Sequence, residues 1–184
     1  MAPAFSLHMK KYGFSPVFIG FCFAVPGILY ASLTPLMYLL TERWPKRAVI
    51  ILGILLMSIG MFFIGTSPLL GLDNSPRLIM VGLIIIGMAS GMISIPVLPD
   101  ILEAVGEQKD KNFNQEELNN YISGIFVMCN GMGEFIGPVL SSFLNEGYGF
   151  RTSQDIYAGI VMIFAFAYFS CVGHFYIFTQ KTEK

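Results

Sequence analysis

Charged residues are scarce in this chain of 184 amino acids. They make up 12% of it, whereas an ordinary soluble domain carries about 25%. The net charge of -1 argues against a nucleic-acid partner. The sequence also lacks a Gly-Lys-Ser phosphate loop, a Cys-x-x-Cys pair and a His-Glu-x-x-His metal motif. No nucleophile, base and acid form a recognisable set, so we expect neither an enzyme nor a bound cofactor or metal.

Hydrophobic residues fill 54% of the sequence, which contains 17 phenylalanines and 19 glycines. This composition is typical of a helical membrane protein, in which glycine lets helices approach one another closely. Cys22, Cys129 and Cys171 all lie in apolar stretches. We therefore expect packed free thiols and no disulfide.

Five apolar stretches are each long enough to cross a bilayer as a helix, which takes about 20 residues. They run over residues 14–40, 48–66, 78–98, 121–144 and 156–178. Residues 1–13 are expected to be the end of an incomplete helix, residues 103–120 a cytoplasmic loop, and residues 179–184 a cytoplasmic tail. The predicted fold class is all-α, a polytopic membrane protein with five transmembrane helices plus a partial sixth. Residues 145–155 are expected to be a short polar loop.

The fourth stretch carries two polar side chains, Asn130 and Glu134, near the middle of an apolar helix. At helical spacing they share one face. A carboxylate at membrane depth costs a few kcal/mol or more, unless it faces a protein interior or a wet cavity. The pattern favours a pathway for protons or substrate. The alternative is a protonated structural residue that bonds to a neighbouring helix.

Glycines and prolines mark where the predicted helices pack closely or bend. The candidates are Gly87, Gly91, Pro96, Pro99, Gly133, Gly137 and Pro138. Gly87 and Gly91 are spaced as a small-xxx-small pair. Pro96 and Pro99 are predicted to bend or break the third stretch, and Pro26 and Pro35 to bend the first. In the first stretch, Tyr30, Thr34 and Tyr38 share a polar face, which indicates either hydrogen bonds between helices or a cavity lining.

The segments before, between and after the five stretches lie alternately on the two sides of the membrane. The segments on one side hold seven basic residues and those on the other side hold four. The first set contains Arg43, Lys46, Arg47, Lys109, Lys111, Lys181 and Lys184; the second contains Lys10, Lys11, Arg77 and Arg151. Because basic segments stay inside, the first set and the C-terminus are predicted to be cytoplasmic.

Three segments resemble parts of the major facilitator superfamily. The loop Glu42-Arg43-Trp44-Pro45-Lys46-Arg47 resembles its acid-Arg-x-Gly-Arg-Arg loop. The segment Gly133-Glu134-Phe135-Ile136-Gly137-Pro138 is similar to the Gly-x-x-x-Gly-Pro signature of its antiporter branches. The segment 87–102, which includes Gly-Met-Ala-Ser-Gly and Ile-Pro-Val-Leu-Pro-Asp, is similar to the tenth helix of the vesicular polyamine and amine transporter branch.

The resemblance implies that the chain is the C-terminal half of a twelve-helix transporter, from the end of helix 7 to helix 12. It implies proton-coupled antiport of a small organic cation in a vesicular or other endomembrane. The partners would be the lipid bilayer, protons, the solute, and a missing N-terminal half or a partner chain. The cavity would be lined by Tyr30, Thr34, Ser90, Ser94, Asn130 and Glu134. Glu42, Arg43, Lys46 and Arg47 would form a conformational latch, or else supply ordinary cytoplasmic charge.

Departures from the family pattern leave other interpretations open. Pro45 stands where the loop usually has glycine, and Ser94 where the monoamine branch would place an acid. The acid of this chain is Glu134, one helix later. We expect the sequence to be part of a longer transporter. The alternative is a non-transporting membrane accessory, or a degenerate half-transporter that needs a partner chain to cover its polar faces.

Overall fold

The computed structural model describes residues 2–67, 71, 75–106 and 115–173. All regular secondary structure in these ranges is helical. The α-helices are α1 (Ala2–Lys11), α2 (Pro16–Arg43), α3 (Lys46–Ile64), α4 (Pro76–Gly106) and α5 (Gln115–Tyr168). A π-helical turn, Phe169–Gly173, follows α5 directly. Helices α2 to α5 are each long and apolar enough to cross a membrane, so the all-α prediction is confirmed.

Local chemistry sets the ends of α2. The Ser15 hydroxyl accepts a hydrogen bond from the Phe18 N–H at 3.3 Å, and Pro16 occupies the first turn, where its missing N–H has no cost. The helix continues through Pro26 and Pro35 and ends where the Trp44 N–H bonds the Leu40 carbonyl. Only residues 44–45 separate α2 from α3.

Helix α4 extends beyond the third predicted stretch. Pro96 and Pro99 were predicted to bend or break it; neither breaks it, since the helix continues to Gly106. A proline removes its own backbone donor and crowds the preceding turn, and the packing of α4 against its neighbours outweighs that loss. The extension carries Asp100 and Glu103 beyond the apolar core, toward the start of α3. Of the predicted loop 103–120, residues 107–114 lie outside the described ranges, and both flanks are helical.

Helix α5 contains one break, at Gly149, where φ is 76° and ψ is 166°. The break divides α5 into a first arm, residues 115–148, and a second arm, residues 150–168. The sequence indicated a loop over residues 145–155, whereas the structure turns the chain at a single residue. Glycine suits that position because L side chains clash in this region of φ and ψ.

We expect Gly149→Ala to destabilise the fold by about 1–3 kcal/mol, because alanine at this φ and ψ is strained. Gly147→Ala is the matched control: Gly147 is helical, and nothing lies within 4 Å of an added Cβ. The control should be neutral or more stable by about 0.5–1 kcal/mol. Denaturant unfolding in mixed micelles measures both. Equal effects of the two substitutions would show that the break does not depend on glycine.

Helix α4 packs between α2 and α3, and glycines allow the close approach. A Cβ added to Gly82 would lie 2.7 Å from the Ile64 backbone nitrogen of α3. A Cβ added to Gly87 would lie 2.9 Å from the Cα of Pro26 in α2. The opposite side of α3 meets the second arm of α5, where the buried Ser58 hydroxyl donates to the Ala158 carbonyl at 2.8 Å.

The helices alternate in direction, which creates two ends of the bundle. At the Gly149 end, apolar residues from α1, the start of α2, the end of α3, the start of α4 and Phe150 form one buried cluster. At the other end, near Pro45, Met37, Val49 and Met92 join α2, α3 and α4. A third cluster, formed by Ile50, Ile54 and Ala165, joins α3 to the second arm. These contacts fix the charged helix ends at the Pro45 end.

Candidate transport site and charged helix ends

The first arm of α5 is the most open part of the described bundle. From Tyr121 to Phe143, only Ile122 and Ser141 are buried. Asn130 and Glu134 are both exposed, so no part of the described chain covers the polar face predicted from sequence. No hydrogen bond or ion pair joins Glu134 to another described residue. An ionisable group on an apolar membrane helix needs a protein or aqueous neighbour.

Residue 134 offers two kinds of acceptor oxygen. Its carboxylate is exposed, and Pro138, four residues later, lacks the N–H that would normally bond the Glu134 carbonyl. Nothing lies within 4 Å of a Cβ added to Gly133 or Gly137, so space is open beside this turn. The Tyr157 hydroxyl of the second arm donates to the Gly137 carbonyl at 3.3 Å and ties the two arms together just beyond the site.

The polar faces of α2 and α4 meet beside Tyr30. The Tyr30 ring lies 3.9 Å from a Cβ built on Gly91, which places it next to the turn that carries Ser90 and Ser94. The Thr34 hydroxyl donates to the Tyr30 carbonyl, and the Ser90 hydroxyl to the Ile86 carbonyl, each at 2.8 Å. Ser94 is exposed. These bonds lie within single helices, so the hydroxyl oxygens keep acceptor capacity.

The predicted latch residues divide into two pairs. Lys46 and Arg47, at the start of α3, form ion pairs with acids near the end of α4. The Arg47 Nε lies 3.1 Å and 3.2 Å from the two carboxylate oxygens of Asp100, and Lys46 bonds Glu103. Glu42 and Arg43 are exposed at the end of α2 and join no ion pair among the described residues.

The two ion pairs differ in exposure. The Arg47 and Asp100 side chains are 16% and 21% exposed, whereas 64% of Glu103 is exposed. An exposed pair contributes about 0–1 kcal/mol, since water screens it. Breaking a partly buried pair costs more, because the remaining charge stays desolvated. The Arg47–Asp100 pair is therefore the stronger connection between α3 and α4 at this end.

Sequence reasoning missed a group of buried polar residues at the Gly149 end. Ser153, Gln154 and Asp155 are buried, although the sequence suggested a loop there. The Arg151 guanidinium donates to the Thr66 carbonyl at the end of α3, with its Nε at 3.1 Å. A helical signal was present in the sequence: Arg151, Gln154 and Ala158 follow the spacing of one helix face.

Four long apolar helices define a multi-pass membrane protein. The chain belongs to the Major Facilitator Superfamily, whose family model matches residues 1–182. It is 28% identical over 187 residues to the MFS-type transporter SLC18B1 of Homo sapiens, covering 99% of this chain and 39% of the relative. No solved structure matches it.

Two further relatives carry the same name. The Rattus norvegicus protein is 31% identical over 158 residues, which cover 84% of this chain and 34% of the relative. The Mus musculus protein is 29% identical over 154 residues, which cover 81% and 33%. The chain thus spans well under half the length of these relatives. The predicted resemblance to the superfamily is confirmed, and the family is one of transporters, not enzymes.

Proposed function

We propose that this chain is the C-terminal part of a secondary transporter that exchanges protons for a small organic cation. Glu134 carries the proposal, because it is an exposed acid in the middle of an apolar helix. With a proton bound, the Glu134 side chain is neutral. When it is ionised, a bound cationic substrate compensates its negative charge. In both states the side chain avoids an uncompensated charge at membrane depth. Proton and cation then compete for one group, which is the basis of exchange.

The surroundings of the proposed pathway favour a cation over an anion. In the middle of α2, α4 and the first arm, over residues 17–41, 78–99 and 118–145, Glu134 is the one charged residue in the sequence. Tyr30 adds an exposed aromatic ring, which attracts a cation held over its face. Asn130, Thr34, Ser90 and Ser94 add polar oxygens. These residues would orient the solute through hydrogen bonds.

The proposal requires a second bundle to cover the open face. Helix α2 and the first arm of α5 are the least covered apolar helices, and α2 exposes large residues such as Val17, Phe21 and Tyr38. The matched relatives are much longer than this chain. We therefore propose that an N-terminal half or a partner chain faces α2 and the first arm, and that the pathway runs between the two bundles.

The Pro45 end is proposed to act as a latch during alternating access. The Arg47–Asp100 pair fixes α3 against α4, which leaves the exposed Glu42 and Arg43 available to contact the second bundle.

The distribution of basic residues favours a cytoplasmic position for the Pro45 end and for the C-terminus. The resemblance to the vesicular branch makes an endomembrane the proposed location.

Uptake into proteoliposomes tests the proposal. The full-length transporter is reconstituted with an acidic lumen and supplied with labelled cationic, neutral and anionic solutes of similar size. We expect accumulation of a cationic solute, and a protonophore should reduce it to the equilibrium level. Accumulation that is the same with and without the protonophore would contradict proton coupling. Absence of uptake for every solute would favour the non-transporting accessory.

A further inference from the structure

The open face of the first arm becomes covered at one residue, Gly137. Every residue from 127 to 140 is exposed except Gly137, which is half-buried. The Tyr157 hydroxyl of the second arm donates a hydrogen bond to the Gly137 carbonyl at 3.3 Å. Ser141, four residues later on the same helix face, is buried. The first covered position on the face that carries Glu134 therefore lies three residues after it and is bonded to Tyr157.

The hydrogen bond from Tyr157 lies where the first arm has lost a hydrogen bond of its own. Pro138 has no N–H, so the Glu134 carbonyl receives no bond from the residue four positions later. The proline ring also crowds that carbonyl, which makes this turn of the helix easier to bend. A carbonyl oxygen has two lone pairs, so Gly137 can accept from Tyr157 in addition to its helical donor. The Tyr157 hydroxyl therefore supports the turn in which the helix is weakest.

The turn that carries Tyr157 is itself fixed to the core of the bundle. Its neighbour Ala158 is fully buried, and the Ala158 carbonyl accepts a hydrogen bond from the Ser58 hydroxyl of α3 at 2.8 Å. Ser58 is also fully buried. Tyr157 is half-buried, and its hydroxyl reaches the first arm. Two hydrogen bonds thus connect α3, through the second arm, to the turn that begins at Glu134.

We infer that Tyr157 is a positioning residue for Glu134: its hydrogen bond fixes the Pro138 turn, and this turn places the Glu134 carboxylate in the pathway. The inference rests on the proposed exchange at Glu134. A cation that pairs with Glu134 must also meet the polar groups of α2 and α4, so its affinity depends on the position of the first arm. A proton needs only the carboxylate. Loss of the Tyr157 bond is therefore expected to weaken the binding of the cation more than the binding of the proton.

Uptake kinetics of the full-length transporter test this role in binding. Tyr157→Phe removes the hydroxyl and keeps the ring. We expect the KM for the cationic solute to rise about three- to tenfold, the value of one hydrogen bond, with the maximal rate within about twofold of the wild type. A purely structural defect would lower the maximal rate and leave the KM unchanged. Tyr148→Phe removes an exposed hydroxyl from the first arm and, as the matched control, should change neither constant.

Amide hydrogen exchange of the same transporter in lipid nanodiscs tests the position of the arm without any transport. In Tyr157→Phe, exchange over residues 139–142 should become about three- to tenfold faster, because the turn opens more often without the bond. Pro138→Ala restores the N–H that the Glu134 carbonyl lacks. In that background Tyr157→Phe should change the exchange by less than about twofold, since the helix no longer depends on Tyr157.

The outcomes separate this inference from the proposed function. A higher KM together with faster exchange, both absent from Tyr148→Phe, supports the inference. If uptake by Glu134→Gln equals that of the wild type, the exchange at Glu134 is refuted, and the role of Tyr157 is refuted with it. If uptake requires Glu134 but Tyr157→Phe keeps the wild-type KM, only the inference is overturned. Unchanged hydrogen exchange in Tyr157→Phe would also overturn it, whatever the result of the uptake measurements.

Discussion

Glutamine at position 134 is expected to reduce proton-driven uptake by the full-length transporter to the level of empty vesicles. Glu134→Gln keeps the size and the hydrogen-bonding oxygen of the side chain but removes the exchangeable proton and the negative charge. Since Glu134 is the one charged residue in the apolar middle of the helices that would line the pathway, no neighbour can replace it. Uptake driven by an imposed pH gradient in proteoliposomes measures the effect.

Two matched variants make this result specific. Glu146→Gln neutralises an exposed carboxylate near the end of the same arm and should leave uptake unchanged. Glu134→Asp retains the charge and should retain partial activity. Downhill efflux separates coupling from binding, because a carrier that has lost only proton exchange can still bind solute. Normal, pH-dependent uptake by Glu134→Gln would refute the role of Glu134.

The second large effect is expected at the Arg47–Asp100 pair. Arg47→Ala or Asp100→Ala should each shift the balance between inward-open and outward-open states by about 1–3 kcal/mol, or roughly 5- to 150-fold. The half-buried pair fixes the start of α3 and with it the short turn after Arg43. Without the pair, Glu42 and Arg43 lose the fixed position from which they are proposed to contact the second bundle in one of the two states. Distance measurements between spin labels placed on the two bundles of the full-length transporter report that balance directly.

A charge swap and a second pair serve as controls. The double variant Arg47→Asp with Asp100→Arg should return the ratio of inward-open to outward-open states part of the way to the wild-type value. A double-mutant cycle measures this recovery as a coupling energy. Lys46→Ala and Glu103→Ala remove the more exposed pair and should change the balance by less than about 1 kcal/mol. If the Arg47 variant changes only the orientation of membrane insertion, the loop supplies topological charge and the latch proposal fails.

The fold class could be predicted because it depends on composition and length. Apolar runs of about 20 residues allow few structures other than membrane helices. Each of the five predicted stretches overlaps one of the helices α2 to α5, although residues 174–178 of the last stretch lie outside the described residues. Ser15 and Trp44, which cap the two ends of α2, lie close to the predicted boundaries of the first stretch. The glycines of α3 and α4 mark where helices touch, because a side chain there would collide with a neighbouring helix.

Boundaries set by tertiary packing could not be predicted in the same way. Pro96 and Pro99 favour a helix end when considered alone, yet α4 continues to Gly106, and Asp100 and Glu103 of this extension form ion pairs with the start of α3. Residues 150–155 are polar enough to suggest a loop, but they form a buried helical turn against the end of α3. A local sequence pattern cannot report which polar residues will be covered by another helix.

For the candidate site, the sequence allowed individual residues to be selected but not their partners in the fold. Lys46 and Arg47 were selected for their pattern, but their partners Asp100 and Glu103 lie more than 50 positions away, and only the fold pairs them. Asn130 and Glu134 were selected as one helix face, and they are exposed within this chain. Their roles remain predictions, because the surface that would cover them is not part of the described chain.

Aqueous access to position 130 tests the central claim, that the open face of the first arm lines a water-filled pathway. Asn130→Cys and Ile163→Cys are compared in a cysteine-free, full-length background in lipid bilayers. Both positions are exposed, but Ile163 lies on the second arm, outside the helices that are proposed to face the second bundle, and its apolar side chain is expected to face lipid. We predict that a charged, membrane-impermeant thiol reagent labels Asn130→Cys, that an organic cation protects it, and that Ile163→Cys stays unlabelled. Equal protection of both cysteines from the charged reagent, without any effect of the cation, would place the first arm in lipid and contradict the account.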